Sequence, residues 1–439
     1  MIRILIVSFV FTCISSVSFA QNFDKDKLDQ YFHVLEENDK FMGSVSVRQN
    51  GEIIYSKAMG FSDVENKIKA TENTRYKIGS ITKTFTAVLT LKAIEDRKLN
   101  LNQTIDQWFP QILNSDKISI FHLLNHRSGI HNFTNDEDYL TWNTQAKSEK
   151  EMLEIITNAG SDFNPDEKTE YSNSNYVLLT YILEKTFQKS YSELIKKYIS
   201  EPIGLKNTYV FDKINTQNNE AKSYKFFGNW ILETETDFSV PLGAGAITST
   251  ANDLTKFTEA LFNEKILNAE SLEIMKNTQE GFGLGLFEIP FYDKLGFGHT
   301  GGIDGFSSVF SYFEEGGISY ALLSNGSNYN INNISLAVLS AIFDQDYEIP
   351  NFGGYQHTEE ELERFVGIYS SSQLPLKITV TQENNNLFAQ ATGQAAFPLE
   401  GVEENKFQFE MAGIIMEFDP SENSMILLQG GGKFNFKKE

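Results

Sequence analysis

The sequence predicts a mixed α/β protein of the α+β class, in which helices flank an antiparallel sheet and a small all-β domain follows. Strand patterns occur near both ends of residues 21–350, a mostly helical stretch separates them, and alternating strands fill residues 360–439. Strands at both ends with helices between indicate one sheet built from both ends of a domain, with the helical region inserted. We therefore predict a signal peptide at 1–20, a first domain at 21–350 and a C-terminal antiparallel, barrel-like domain at 360–439.

The chain begins with a segment typical of exported proteins. Arg3 is the only charge before an apolar and hydroxylic run that ends Ser18-Phe19-Ala20, a small-x-small pattern. This pattern predicts a signal peptide cleaved after Ala20, and hence a periplasmic or secreted protein. A transmembrane anchor is an alternative, but the truly apolar part is too short to span a bilayer comfortably. Lipid attachment at Cys13 is a second alternative, although the residues before Cys13 are bulkier than a lipoprotein cleavage site normally accepts.

Cysteine content and charge exclude several classes of protein. Cys13 is the only cysteine, so the mature chain would have no disulfide, no thiol catalysis and no cysteine-based zinc site. The chain has 37 Lys and Arg against 59 Asp and Glu, a formal net charge of −22. An acidic surface repels nucleic acid and anionic lipid, so we predict neither as a partner and no stable membrane insertion. The sequence does not fix the oligomeric state.

The first elements are a helix and a hairpin. Residues 23–38 form an amphipathic helical pattern, and alternating strands at 44–49 and 52–56 flank Asn50-Gly51, a strong hairpin signal. A helix follows at about 80–96 with apolar residues almost all the way round, which predicts that it is buried.

The middle of the chain, 101–278, is mainly helical and loop-rich. Its clearest helical patterns are at 177–199 and at 253–262, the second with a plausible cap at Thr250. Strand patterns return after it, and a linker at 349–355 precedes the C-terminal region. The remaining predicted elements are strands at 282–289, 306–313 and 318–323, helices at 334–343 and 359–365, and strands at 376–381, 407–411, 414–418, 425–428 and 434–436.

The sharpest chemical signal is Gly79-Ser80-Ile81-Thr82-Lys83. On a helix, Lys83 lies one turn from Ser80 on the same face. A serine hydroxyl needs a neighbouring base, and a lysine serves if burial lowers its pKa. The start of a helix also offers backbone N–H groups to an oxyanion. The plain alternative is a capping serine beside a solvated lysine, since this four-residue pattern is common.

Two further motifs support the interpretation of residues 79–83 as part of a catalytic site. Tyr171-Ser172-Asn173 follows a polar loop and precedes a strong helix, so Tyr171 and Asn173 can both point into a cleft. His299-Thr300-Gly301-Gly302 lies between an expected hairpin turn and the strand from Phe306. Its glycines would let a substrate lie close to the edge of that strand.

The three motifs in this order resemble those of the serine β-lactamase and penicillin-binding protein family, in particular its class C β-lactamase branch and its D-Ala-D-Ala carboxypeptidase and D-aminopeptidase relatives. The stretches 118–129 and 243–254 also look like this branch, and the resemblance covers about 23–344. It implies a β-lactamase/transpeptidase-like fold. The C-terminal domain resembles accessory domains that follow the hydrolase in many relatives.

The resemblance also implies roles for individual residues. Ser80 would be acylated, Lys83 would accept its proton, and Tyr171 would serve as shared acid and base. Asn173 would hold the substrate amide, and the backbone N–H groups of Ser80 and Gly302 would form the oxyanion hole. The substrate-binding strand would comprise His299, Thr300, Gly301 and Gly302, with His299 and Thr300 favouring a substrate carboxylate.

His299 stands where β-lactamases usually have lysine, and a neutral imidazole attracts a carboxylate more weakly than an ammonium does. We therefore expect a peptidase acting on D-amino-acid-containing small molecules or peptides, with an esterase and a β-lactamase as alternatives. A non-catalytic binder of peptidoglycan fragments is the alternative of another class. The C-terminal domain would serve interaction or stability.

Other candidate sites are weaker. His122 and His126 are four residues apart and could bind a metal on a helix, but no third ligand is evident. There is no G-x-S-x-G motif, which disfavours a nucleophile-elbow hydrolase. We predict neither metal nor cofactor.

Overall fold

The computed structural model describes residues 23–355, 357–383 and 386–439, so the predicted signal peptide and Cys13 lie outside the described residues. Among the described residues, no helix combines the length and apolar character needed to cross a membrane. The α-helices in these ranges are α1 (Lys25–Glu37), α2 (Thr82–Glu95), α3 (Ile120–Leu124), α4 (Tyr139–Trp142), α5 (Glu149–Ala159), α6 (Asn173–Phe187), α7 (Tyr191–Ile195), α8 (Glu201–Ile203), α9 (Ala251–Phe262), α10 (Ala269–Lys276), α11 (Ile331–Ile342) and α12 (Glu359–Glu363).

The strands form one large sheet, a closed barrel and three small ribbons. They are β1 (Phe41–Gln49), β2 (Glu52–Met59), β3 (Phe61–Asp63), β4 (Ile68–Lys69), β5 (Tyr76–Lys77), β6 (Tyr209–Val210), β7 (Tyr224–Phe226), β8 (Trp230–Leu232), β9 (Ile247–Ser249), β10 (Phe287–Phe291), β11 (Lys294–Ile303), β12 (Phe306–Phe313), β13 (Ile318–Ser327), β14 (Gly367–Ser370), β15 (Lys377–Glu383), β16 (Asn386–Ala391), β17 (Phe397–Glu403), β18 (Lys406–Phe409), β19 (Ile414–Asp419), β20 (Ser424–Gln429) and β21 (Gly432–Lys438).

The large sheet confirms the predicted fold class. Its six antiparallel strands run in the order β10-β11-β12-β13-β1-β2, so the N-terminal hairpin joins strands more than 200 residues later in the chain. Asn50 and Gly51 adopt φ values of +50° and +88°, which the tight turn between β1 and β2 requires. β1 pairs with β13 from Phe41 opposite Ser327 to Gln49 opposite Ile318. The helical region between β2 and β10 is thus an insertion into one sheet.

The predicted buried helix is also confirmed. All but three residues of α2 are buried, because it packs against α6, α7 and α10 in the main apolar core. The partly exposed residues Lys92, Ile94 and Glu95 lie in its last turn, and the core opens again just before its first turn. That opening lies beside Ser80.

Three local predictions were wrong. The helix expected at 177–199 is broken after α6, where Gln188 takes a left-handed φ of +53° and Ser190 caps α7. The sequence 299–302 lies inside β11, not before a strand, because pairing with β12 compensates for the low strand propensity of its glycines. In addition, the strand expected at 282–289 begins only at Phe287.

The C-terminal strands β14 to β21 close into a barrel, which leaves no free strand edge. Its interior is a separate apolar core. The barrel also contacts the rest of the chain. Lys40 Nζ lies 2.7 Å from Glu400 Oε2, and Asn333 Nδ2 donates to Glu410 Oε1 over 3.2 Å.

Candidate active site

Ser80 lies in a tight 3₁₀ turn, Gly79–Ile81, that leads into α2. Gly79 has a φ of +48°, and a Cβ on it would meet the backbone nitrogen and oxygen of Gly302 at 2.8 Å. Glycine is therefore required for both the turn and its close approach to β11. Ser80 is partly exposed and opens into a cavity of about 260 Å³ that Asn173 and Gly302 also line.

Lys83 is fully buried beside this serine. Its Nζ lies 3.1 Å from Ser80 Oγ, 2.7 Å from Asn173 Oδ1 and 2.7 Å from the carbonyl oxygen of Ala244. None of these three partners carries a charge. Burial lowers the pKa of Lys83 well below its ordinary 10.5, because the core disfavours the ammonium. A neutral amine at this distance can accept the Ser80 proton.

Tyr171 covers the other side of Lys83, whose Nζ lies 4.8 Å from the centre of the phenol ring. Burial raises the pKa of Tyr171, and hydrogen bonding with the Ser80 hydroxyl opposes this shift. Its ring stacks on His126 with 4.5 Å between ring centres. The phenol is thus protonated at neutral pH and held between a histidine and the lysine.

His126 is a site residue that sequence reasoning missed. Its Nδ1 accepts the N–H of Ser172 over 3.1 Å, and burial and the nearby Lys83 hold its pKa well below the usual range. His126 is therefore a neutral ring, and it orients the loop that carries Tyr171. His122, considered with it as a metal pair, lies in the helix cap of Ser119 instead. The spacing of two histidines could not distinguish these roles.

Asn173 begins α6, and its amide is fixed by contacts on both ends. Oδ1 accepts from Lys83, while Nδ2 donates to Asn132 Oδ1 over 3.2 Å and to Thr134 Oγ1 over 3.0 Å. The backbone N–H of Asn173 also donates to Asn132. A single asparagine in a loop gives no sequence signal, so Asn132 could not have been found from the sequence.

β11 places His299 and Thr300 on opposite sides, as neighbouring strand residues must be. His299 is 1% exposed and packs 4.2 Å, centre to centre, from the ring of Phe287, whereas Thr300 is exposed. Burial, with a smaller contribution from the charge of Lys83, lowers the pKa of His299 to about 3. Its Nε2 has no hydrogen-bond partner among the described residues. His299 is therefore a neutral group beneath the site.

The two glycines of β11 differ in their surroundings. A Cβ on Gly301 would lie 2.1 Å from the carbonyl oxygen of Ile78 and 3.0 Å from the backbone nitrogen of Ser80. A Cβ on Gly302 would meet nothing closer than 3.9 Å. Gly301 therefore allows β11 to pack against the serine turn, and Ser80 and Gly302 line the same cavity.

Ion pairs surround the outer part of the cavity. Lys77, with its side chain 2% exposed, lies 3.0 Å from Glu235 and 3.3 Å from Asp304. Lys225 pairs with Glu233 at 2.7 Å across the β7–β8 hairpin. Both lysines are thus matched by carboxylates. In the part of the chain that the structure describes, no group of three or more His, Cys, Asp or Glu is placed to hold a metal ion.

The chain is similar in sequence to two proteins of known name. The chain is 27% identical over 447 residues to penicillin-binding protein 4* of Bacillus subtilis strain 168, covering 92% of this chain and 97% of that protein. It is 28% identical over 314 residues to the teichoic acid D-alanine hydrolase of Staphylococcus aureus strain MRSA252, covering 69% of this chain and 74% of that protein.

Solved structures extend the likeness to the fold. The D-amino acid amidase from Ochrobactrum anthropi SV3, complexed with L-phenylalanine amide, superposes with a TM-score of 0.64 at 26% identity, over 73% of this chain and 99% of that one. The sequence model of the Beta-lactamase family matches residues 30–340, more than half of the chain. This protein therefore belongs to the Beta-lactamase family of serine hydrolases.

Proposed function

We propose that the protein is an exported serine hydrolase that cleaves an amide or ester through an acyl-enzyme on Ser80, with D-amino-acid-containing peptides or amides as its preferred substrates. One observation carries the catalytic part of the proposal. The buried Nζ of Lys83 lies 3.1 Å from Ser80 Oγ, and its hydrogen-bond partners among the described residues are all uncharged. Export is proposed from the apolar N-terminal segment, which lies outside the described residues.

In the proposed reaction, Lys83 takes the proton of Ser80 as the serine oxygen bonds to the substrate carbonyl. The N–H groups of Ser80 and Gly302 stabilise the oxyanion. Tyr171 protonates the departing amine or alcohol and regains a proton from the Lys83 ammonium. Water then attacks the acyl-enzyme and gives a proton to Tyr171 as Tyr171 passes its own proton to Lys83, and the Lys83 ammonium returns a proton to the departing Ser80 oxygen.

The substrate class rests on the state of His299 and on the relatives. A neutral imidazole with a pKa of about 3 offers no fixed charge to a substrate carboxylate. This favours amides and aminopeptidase-type substrates over carboxypeptidase-type substrates and β-lactams, which carry a carboxylate. Two relatives are named for D-amino-acid chemistry, a D-alanine hydrolase and a D-amino acid amidase. Esterase activity is the second candidate, because the same acyl-enzyme forms from an ester.

The test compares a D-alanine amide, its L-enantiomer, p-nitrophenyl acetate and a chromogenic cephalosporin with the mature enzyme and with Ser80→Ala. We expect preferential turnover of the D-amide and a transient mass increase on Ser80. Rapid cephalosporin turnover would move the assignment to β-lactamase. Equal rates for both enantiomers with fast acetate turnover would favour an esterase. No modification of Ser80 by any probe would contradict the catalytic proposal.

A further inference from the structure

A second cavity, of about 520 Å³, lies between the barrel and the rest of the molecule. One wall is formed by the β7–β8 hairpin and the start of β12, and the other by the turn before β17 and the residues after β18. We define this cavity, the barrel groove, by Phe227, Phe306, Ala396, Phe397 and Met411. Its volume and mainly apolar lining match those of pockets that bind small molecules.

Apolar side chains in the barrel groove are left open to solvent. Phe227 is 42% exposed and Met411 is 50% exposed, although they approach the groove from opposite walls. Ile231 and Leu232, 44% and 48% exposed, lie on β8 of the same hairpin as Phe227. Exposed apolar residues grouped in this way mark a surface that a ligand or partner covers.

The barrel groove adjoins the Ser80 cavity. Lys225 and Asp304 line both spaces. The β11–β12 turn divides them, since Gly302 faces the Ser80 cavity and Phe306 faces the groove. Four residues of chain span at most about 14 Å, so a substrate of moderate length can occupy both spaces.

Contacts between the barrel and the sheet hold the two walls together. Lys40, which is 5% exposed, pairs with Glu400 of β17 at 2.7 Å. The N–H of Tyr355 donates to the carbonyl of Gly401 over 2.9 Å, and Asn333 donates to Glu410. The groove is therefore preformed, which reduces the entropy lost when a ligand binds.

We propose that the barrel groove binds an apolar chain of the substrate, aliphatic or aromatic, that extends from the carbonyl attacked by Ser80 or from its leaving group. This inference rests on the proposed acyl-enzyme chemistry. It gives the barrel a direct part in substrate selection. Lys225, at the junction, faces the polar linkage between the reacting carbonyl and the apolar chain.

Two probe series test this proposal with the full mature chain. Acyl-side chains are varied as p-nitrophenyl acetate, butyrate and octanoate, and leaving-side chains as the ethyl, butyl and octyl amides of D-alanine. In at least one series kcat/KM should rise by up to about fourfold for each methylene that enters the groove. The responding series identifies the side of the scissile bond that reaches the groove.

The variants distinguish binding of the chain in the barrel groove from a general preference for more hydrophobic substrates. Phe227→Ser combined with Met411→Ser should abolish the increase with chain length and leave acetate turnover unchanged, because both side chains are exposed and their loss opens no core cavity. Ala396→Trp should fill the groove and exclude the octyl chains. Leu113→Ser, at a residue 62% exposed and outside the groove, is the matched control and should keep the increase.

An increase that survives in the Phe227/Met411 double variant would overturn the proposal. So would the absence of any increase in both series while acetate still acylates Ser80. Failure of every ester and amide probe to modify Ser80 would instead overturn the proposed catalytic function, and this inference with it.

Discussion

Two buried lysines six residues apart, Lys77 and Lys83, have opposite electrostatic surroundings. Lys77 faces the carboxylates of Glu235 and Asp304, which balance its charge. Lys83 faces a hydroxyl, an amide and a backbone carbonyl, and burial lowers its pKa well below the usual value. Burial alone therefore does not make a lysine reactive. None of the described partners of Lys83 is a carboxylate that would stabilise its ammonium form. Burial can therefore shift Lys83 toward the neutral amine.

The largest effect is expected from Lys83→Met. This variant should reduce kcat/KM toward p-nitrophenyl acetate by about 10³-fold, because Ser80 loses its proton acceptor. Lys83→Arg should not restore activity, since a guanidinium stays protonated. Esterase kinetics and intact mass measure the loss, with circular dichroism to establish folding. Activity within tenfold of wild type in a folded variant would contradict the role of Lys83.

The same substitution at Lys77 should act on stability. Lys77→Met leaves the buried Asp304 without its cation and should lower the free energy of unfolding by about 3 kcal/mol. Activity per folded molecule should be largely kept, because Lys77 does not contact Ser80. Urea unfolding measures the change, and adding Asp304→Asn should recover part of it. A loss of kcat/KM as large as that of Lys83→Met would contradict the assignment of Lys77 to stability and of Lys83 to catalysis.

Gly301 sharpens the comparison because it packs between the two lysine segments, against Ile78 and Ser80. Gly301→Ala would force β11 away from the serine turn, and a displacement near 1 Å costs about 10²-fold in rate. Gly302→Ala is the comparison variant and should lower the rate less, since its Cβ would meet only the Phe306 carbonyl oxygen, at 3.9 Å, and would leave β11 in place. Equal effects of the two substitutions on kcat/KM would argue against the close packing as the cause.

The smallest effect is the pH dependence of stability due to Lys83. Its folded pKa lies below the unfolded value, so between the two pKa values the unfolded chain binds more protons. The free energy of unfolding of wild type, relative to Lys83→Met, should therefore rise as pH increases toward 10.5. The slope is at most about 1.4 kcal/mol per pH unit. Urea unfolding across this range measures it, and a flat or falling difference would indicate a charged Lys83.

The same lowered pKa sets the direction of the activity profile. The rate of Ser80 acylation should increase with pH through the pKa of Lys83 and level off before 10.5 is reached. An increase centred at 10.5 or above would indicate an unperturbed lysine.

The parts of the site that the sequence predicted are local ones. Ser80 and Lys83 share a face because three residues make almost one helical turn. The Asn50-Gly51 turn and the burial of α2 also follow from neighbouring residues. The grouping of Tyr171, Asn173 and His299 with Ser80 came from resemblance to a family, because no periodicity links residues so distant in sequence.

Long-range packing decided the rest. The carbonyl of Ala244 lies 161 residues from Lys83, and the ring of His126 lies 45 residues from Tyr171, so neither contact has a sequence signal. The strand pairing that places His299 inside β11 and the groove between barrel and sheet depend likewise on distant segments. Local sequence predicted many of the elements and the meeting of Ser80 with Lys83. Only the tertiary structure decided which buried lysine faces carboxylates, because a pKa depends on the groups that folding brings together.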